Sequence, residues 1–596
     1  MVTKMPPFFT QMLSKLENNL AYAVNTLLFW RIAAAIFSGI LLAIAFPPLN
    51  WSITAWFALV PIAFMPQPRR IRERLFIGYL FGYIHFAISL FWLNEVGFGA
   101  GFLLSIWCAL FPMAWYCLLC SLLVALKNPQ AANIPGESIL FIRPNKTLAI
   151  LSIIGAASWT ALEWVRSWLL TGFSWNQLGI SQYQRYGLIQ TAAWTGPYGA
   201  TFLIVLVNMV LAAEIAQIAW MVLAHKRRNF PWHFATLAVF LIPVGIVANL
   251  PERLLDSDTP QLDALIVQPD LPQARIWTEE EYLHAIDVLK ELTENALKST
   301  DKQPDVVVWP ECAVPAPLNY PDYRFRRNGF LEQFNSLFLI GATHLRYASK
   351  TDKESQTFNC AFLIDPHAEY MKTVFDPADH VIDYYDKIHR VPFGEFTPFG
   401  KYLPWLVEFI GMGRDLTPGK AFHIIDLPNN AHAGVNICFE DAFPYISREF
   451  VKNGANMLMT ITNDSWYNRS CGAHQHMSHV VFRAVENRRP FLRCGSNSHS
   501  CLISPNGRIH GMLRNDTNNS DFIAATRFYN VPIKDWGTTF YTRYGDIFAR
   551  LNALITLSAM AWLSHSWLQL KKARLKAVEP NTKASPNVTK RRSKKS

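Results

Sequence analysis

The sequence predicts a multi-domain membrane protein: an α-helical transmembrane bundle of about eight helices joined to an α/β layered domain. Three observations predict it. Of the 596 residues, 51% are hydrophobic. The long apolar runs crowd into the part before Leu250, with one more near the end. Between them the pattern changes to short β-rich runs that end in turn or polar residues.

A bilayer core of roughly 30 Å takes about 20 apolar residues in helix. Windows near that length are Leu27–Phe46, Ile53–Met65, Leu75–Leu93, Gly101–Leu126, Leu148–Leu169, Pro197–Leu223, Trp232–Leu250 and Ile547–Leu568. The second is the shortest and is bounded by prolines. Any one run reads equally as a buried core helix; eight with basic gaps between them read as spans.

The net charge of +11 raises the question of nucleic acid, and its placement answers it. Basic residues gather in alternate loops: Arg69–Arg74, the Lys127–Lys146 connection, His225–Arg228 and the tail from Lys571. Loops such as Gly97–Gly101 and Gly172–Gly196 carry almost none. That is the positive-inside pattern of a multi-pass protein. It predicts a cytoplasmic N-terminal segment at 1–26, a seven-helix bundle at 27–250 and an extramembrane domain on the far side at 257–540. A final helix at 547–570 and a basic cytoplasmic tail at 571–596 complete the order. The stretch Met1–Asn25 is too polar for a cleaved signal and reads as retained. Glu163 and Arg166, at i and i+3, share a helix face and read as a structural pair near head groups.

Of nine cysteines, Cys108, Cys117 and Cys120 lie in one apolar run, and six lie in the extramembrane domain. An oxidising compartment permits disulfides there. No CxxC pair stands with histidines, so no metal is expected. No GxGxxG follows a strand and no GxxxxGK[ST] occurs, so no nucleotide or other cofactor is expected either.

In that domain the strand-like runs Ala264–Val267, Val306–Trp309, Leu337–Ile340, Val435–Ile437 and Met457–Ile461 alternate with helical segments such as Glu279–Ser299. Three strand ends carry chemistry: Val306–Trp309 leads into Glu311, Val381–Tyr385 into Lys387, and Gly434–Ile437 into Cys438. A thiol needs a base or cation to become a nucleophile. Glu311 suits the proton acceptor, and Lys387 suits the stabiliser of a thiolate and an oxyanion. Singly, such a Glu is ordinarily a cap and such a Cys a small buried hydrophobe.

Together, Trp309-Pro310-Glu311, Tyr385-Asp386-Lys387 with Pro392-Phe393-Gly394-Glu395, and Ile437-Cys438-Phe439-Glu440 resemble the Glu–Lys–Cys signature of the nitrilase superfamily. Asn463–Trp466 and Arg483–Asn487 resemble further segments of that αββα sandwich. Phe46-Pro47-Pro48, Glu163–Arg166 through Trp175, and Val267-Gln268-Pro269-Asp270 through Trp277 resemble the apolipoprotein N-acyltransferase family, from about Leu27 to Leu570.

The resemblance implies an enzyme of the bacterial inner membrane, with its catalytic domain periplasmic and its termini cytoplasmic. A glycerophospholipid, commonly phosphatidylethanolamine, passes its sn-1 acyl chain to Cys438. The thioester is then attacked by the α-amine of a diacylglyceryl-cysteine on an apolipoprotein. Glu311 matches the general base, Lys387 the oxyanion lysine and Cys438 the nucleophile. Glu395, Glu440 and Trp277 match accessory positions. Phe439 replaces a frequent tyrosine, Tyr467-Asn468 a usual Phe-Gly, and Cys312 a usual serine. The apolar stretch from Phe396 through Tyr402–Leu406 and Phe409–Gly413 reads as an arm touching acyl chains or as a core helix. A monomer is the simpler assembly. The rivals are a membrane-tethered amidase or nitrile hydrolase using the same triad with water, and a transporter or lipid-binding membrane protein with an inert domain.

Overall fold

The structure is a computed structural model, and it describes residues 27–65, 67–68, 70–126, 145–224, 232–248, 259–272, 278–318, 329–347, 355–368, 381–410 and 415–578. The expected N-terminal segment, residues 127–144 of the Lys127–Lys146 loop, the whole His225–Arg228 loop, Trp277 and residues 579–596 of the basic tail lie outside the described residues. The final helix runs into the expected tail as far as Val578.

Strands β1 (Gln261–Gln268), β2 (Val306–Val308), β3 (Val314–Pro317), β4 (Leu337–Tyr347), β5 (Ser355–Ile364) and β6 (Val381–Asp386) lie in one sheet. Strands β7 (Ile425–Leu427), β8 (Ala431–Ile437), β9 (Met457–Thr462), β10 (Phe491–Gly495), β11 (Cys501–Ile503) and β12 (Ile509–His510) form the second sheet in sequential order. Strand β13 (Ala525–Pro532) then returns to the first sheet, antiparallel to β1. Both sheets are parallel at their centres, β1–β2–β4 in one and β8–β9–β10 in the other.

Period-two alternation sets the layers. In β1, Ala264 and Ile266 join a core shared with Val435 and Ile437 of the second sheet. Their neighbours Leu265 and Val267 pack instead with Ile286 and Leu289 of the Glu279–Lys298 helix. That helix begins at a capping box in which Thr278 and Glu281 each accept from the other's backbone N–H. The Pro444–Lys452 and Gly472–Asn487 helices cover the second sheet, completing the expected αββα sandwich. Each buried Leu, Ile or Val contributes roughly 1.5–3 kcal/mol, so a one-residue slip of β1 would undo both faces at once.

The membrane half differs from the expected count. Among the described residues, four helices are long and apolar enough to cross a bilayer: Ala100–Ala125, Lys146–Arg166, Tyr198–Ile218 and Ile547–Lys572. Leu27–Ala43 and Phe234–Ile246 are shorter apolar helices. Ile71–Ser89 is helical over 19 residues but starts with Arg72, Glu73 and Arg74. The Ile53–Met65 window is a short 3-10 turn, Ser52–Trp56, followed by the helix Val60–Phe64. Asn208 explains that break: its amide donates to Ala55 O at 2.8 Å, and its Oδ1 accepts from Leu59 N–H at 2.8 Å. The final helix is peripheral, with 22% of its apolar window buried against 78% for Tyr198–Ile218.

The two halves meet on the Gly472–Asn487 helix. Gln475 is the hub: its Oε1 accepts from the indole N–H groups of Trp92 and Trp175, both at 3.0 Å. Its Nε2 donates to Pro47 O at 2.9 Å and Ser89 O at 3.0 Å. The Phe46-Pro47-Pro48 and Gly172–Trp175 motifs are therefore docking elements for the sandwich. Gln475→Ala orphans two buried donors at roughly 1–3 kcal/mol each. We expect destabilisation of about 3 kcal/mol, read as a lower thermal midpoint in detergent; an unchanged midpoint would refute the hub.

Candidate active site

Glu311 follows β2 across Trp309, whose N–H donates to Leu339 O at 2.9 Å and whose indole donates to Thr293 Oγ1 at 3.1 Å. The turn runs so close to β4 that a Cβ on Gly341 would lie 2.3 Å from Pro310 O. Only glycine admits that approach. Lys387 follows β6, and its N–H donates to Asn359 O on β5 at 2.8 Å. Cys438 follows β8 at φ 51°, opening the 3-10 turn Cys438–Ala442. A non-glycine residue in that region stores on the order of 1–3 kcal/mol, so its surroundings must hold it there.

The three strand ends converge. Lys387, 1% exposed, donates to Glu395 Oε1 at 2.8 Å and reaches Glu311 Oε1 at 3.4 Å. Asn359 Nδ2 bridges the same oxygens, at 2.7 Å to Glu311 and 2.9 Å to Glu395. Glu311 Oε2 accepts from Asn463 N–H at 2.8 Å, and Glu395 Oε2 accepts from Val391 N–H at 2.8 Å. Burial alone would lower the Lys387 pKa, but the Glu395 and Glu311 carboxylates outweigh it and hold the ammonium well above its ordinary value. Burial and then Glu311 push the Cys438 thiol well up, while Lys387 opposes them. The resting site is a neutral thiol beside a fixed cation and two carboxylates. Asn359 gave no sequence signal, being one polar residue inside a strand.

Glu440 is a bracket. Its Oε1 accepts from the Tyr385 hydroxyl at 2.9 Å and from the N–H groups of Ile388 and His389 at 2.8 and 3.0 Å. Its Oε2 accepts from Ile437 N–H at 2.8 Å. It thus clamps the Cys438 turn to the Lys387 loop; burial raises its pKa to about 7. In Glu440→Gln an amide N–H₂ faces donors, losing bonds to a charged acceptor worth about 1.5–3 kcal/mol. We expect transfer rates ten- to hundred-fold lower in initial-rate assays; wild-type rates would show that the clamp is idle.

Glu163 and Arg166 do not pair with each other, contrary to the expectation. Glu163 accepts from Trp159 Nε1, Leu178 N–H and Thr201 Oγ1 at 2.8–2.9 Å. Arg166 donates to Phe173 O at 3.0 Å and Trp175 O at 2.6 Å. Each folds the loop that presents Trp175. After Glu395, Phe399, Tyr402 and Trp405 are exposed and the Pro404–Ile410 helix follows, so the aromatic part of that stretch is a surface arm. Residues 411–413 of that stretch lie outside the described residues.

All nine cysteines are free thiols. Among the described residues, His344, Cys360 and Asp386 bring three metal-ligand atoms within 4.8 Å. Asp386 is already engaged there by His344 Nδ1 and Arg346 Nη2, each at 3.0 Å, so the cluster is an ion-paired brace behind Lys387.

Comparisons with known proteins follow the same two-part division. A family model described as apolipoprotein N-acyltransferase N-terminal domain matches residues 38–210, and one described as carbon-nitrogen hydrolase matches residues 266–527. An apolipoprotein N-acyltransferase of Geobacter metallireducens is 30% identical over 517 residues, covering 86% of this chain and 92% of that protein. One from Rickettsia typhi is 26% identical, covering 88% and 96%. Among solved structures, the Saccharomyces cerevisiae nitrilase-superfamily protein Nit3 matches 46% of this chain and 90% of its own, at 18% identity and a TM-score of 0.31.

Proposed function

Because the chain belongs to the apolipoprotein N-acyltransferase family, we propose that it moves the sn-1 acyl chain of a glycerophospholipid through a Cys438 thioester onto the α-amine of a diacylglyceryl-cysteine. The observation that carries this reading is the junction. Trp175 of the membrane half stacks on Phe439, next to the nucleophile, with ring centroids 6.1 Å apart. The thiol therefore stands where the bundle meets the sandwich, within reach of substrates anchored in a bilayer.

In the first half-reaction Glu311 takes the Cys438 proton and the thiolate attacks the ester carbonyl. The oxyanion develops beside Lys387, whose ammonium has three donors of which Glu395 and Glu311 engage two. Collapse breaks the C–O bond, and Glu311 returns the proton to the leaving lysophospholipid oxygen. In the second half-reaction the lipoprotein amine attacks the thioester carbonyl, Glu311 accepts the ammonium proton, collapse breaks the C–S bond, and Glu311 returns that proton to the Cys438 thiolate.

The basic loops support a periplasmic sandwich, cytoplasmic termini and a bundle of about eight crossings in the inner membrane. The exposed Phe399, Tyr402 and Trp405 support contact of the arm with lipid. A monomer serves this chemistry, since one chain carries the whole triad. Purified protein given phosphatidylethanolamine and a diacylated lipopeptide should yield a triacylated peptide and lysophospholipid in equal amounts. Free fatty acid with an unmodified peptide would make it a hydrolase instead.

A further inference from the structure

Behind the nucleophile runs a chain of ionic side chains with no solvent access: Asp441, His476, Asp464 and Arg493 are each 0% exposed. His476 Nδ1 hydrogen-bonds Asp464 Oδ1 at 2.8 Å, and Nε2 lies 2.9 Å from Asp441 Oδ1, a charge contact outside hydrogen-bond geometry. Arg493 Nη2 holds the other Asp464 oxygen at 2.5 Å. A neutral imidazole has one donor and one lone pair, so it would point that lone pair at an anion; only the imidazolium suits both carboxylates. Burial alone would lower the His476 pKa, but Asp441 and Asp464 outweigh it and raise it to about 9.

Both carboxylates lead to Cys438. Asp441 is in the Cys438–Ala442 turn, and its Oδ2 also accepts from Thr460 Oγ1 at 3.2 Å. Asp464 Oδ1 accepts from Thr462 Oγ1 at 3.0 Å, and the Asp464 charge is among the influences that raise the Cys438 thiol. The Trp175 ring lies over the imidazole at 5.2 Å. Two other titratable groups lie close by, and both are neutral. Tyr467, with its ring 6.1 Å from the imidazole, is pushed well up by burial and then by Cys438 and Asp464. His479, on the same helix, is kept well below its ordinary value by burial, Arg483 and His476.

We propose that His476 is a positioning residue for the nucleophile: a charged imidazole that ties Asp441 of the strained turn to Asp464 and so aims the Cys438 thiol between Glu311 and Lys387. This rests on Cys438 being the acyl carrier. The positive φ of Cys438 is what makes such a tie necessary, because that turn relaxes if its far end is free.

The test uses the full chain in detergent with phosphatidylethanolamine and a diacylated lipopeptide. His476→Gln keeps one donor and loses the charge. It should lower kcat for thioester formation ten- to hundred-fold per alkylatable Cys438, with the phospholipid KM within about two-fold, as expected when geometry and not binding is lost. Adding Asp441→Asn should cost little more, because both act through one tie. In the wild-type protein labelled with ¹⁵N-histidine, one doubly protonated imidazole should persist at pH 8. A kcat within two-fold of wild type, additive losses, or no imidazolium at pH 8 each overturn the proposal. Transfer surviving in Cys438→Ala would instead remove the reading beneath it.

Discussion

Replacing Cys438 by alanine is expected to abolish acyl transfer, by more than about 10⁴-fold, and to leave the protein without the mass of one acyl chain that the wild type gains from phospholipid. The magnitude follows from losing the only group that changes covalent partner; base, cation and binding surface alone return a small residue of such rates. Alanine removes one sulfur from a site 6% exposed, so the fold should survive. Intact-mass spectra of both proteins after incubation with phospholipid decide it. Cys312 is the internal control, since it follows Glu311 directly and also sits at positive φ. Cys312 is exposed as a residue, yet its thiol is crowded by protein atoms; that crowding, then Glu311 and Glu395, push the thiol well up, with Lys387 as the opposing influence. An adduct persisting in Cys438→Ala, or one mapped to Cys312, would show that Cys438 is not the acyl carrier.

The triad is legible in the sequence because catalytic groups of a layered α/β domain stand at strand ends, where a local motif and a tertiary position coincide. Glu311, Lys387, Glu395, Cys438 and Glu440 each fall in such a motif, and the structure brings all five together. What escaped the sequence depends on partners far away in the chain. Asn359 matters only because Glu311 and Glu395 converge on its amide. Glu163 and Arg166 have the spacing of a pair, yet the loop between Phe173 and Leu178 offers each of them backbone groups that hydropathy does not reveal. The Ile53–Met65 window is apolar enough to suggest a crossing, and one buried amide on another helix, Asn208, folds it into two short turns. Trp277, matched by resemblance, lies outside the described residues.

Lys387→Met is expected to cost both rate and stability, and the two losses are separable. Removing a preorganised donor from a developing oxyanion lowers kcat by roughly 10²–10³. Breaking a buried ion pair from one side costs about 3–5 kcal/mol, because the partner charges stay behind. Here two carboxylates stay, Glu311 and Glu395, both hydrogen-bonded to the one Asn359 amide. Adding Glu395→Gln removes one of those stranded charges. The double variant should therefore regain much of the thermal midpoint while its thioester-forming rate stays at the level of Lys387→Met. Recovery of both would mean that Lys387 only neutralises its neighbours. Recovery of stability alone would leave the ammonium acting on the substrate oxygen, which a charge balanced purely within the fold does not do.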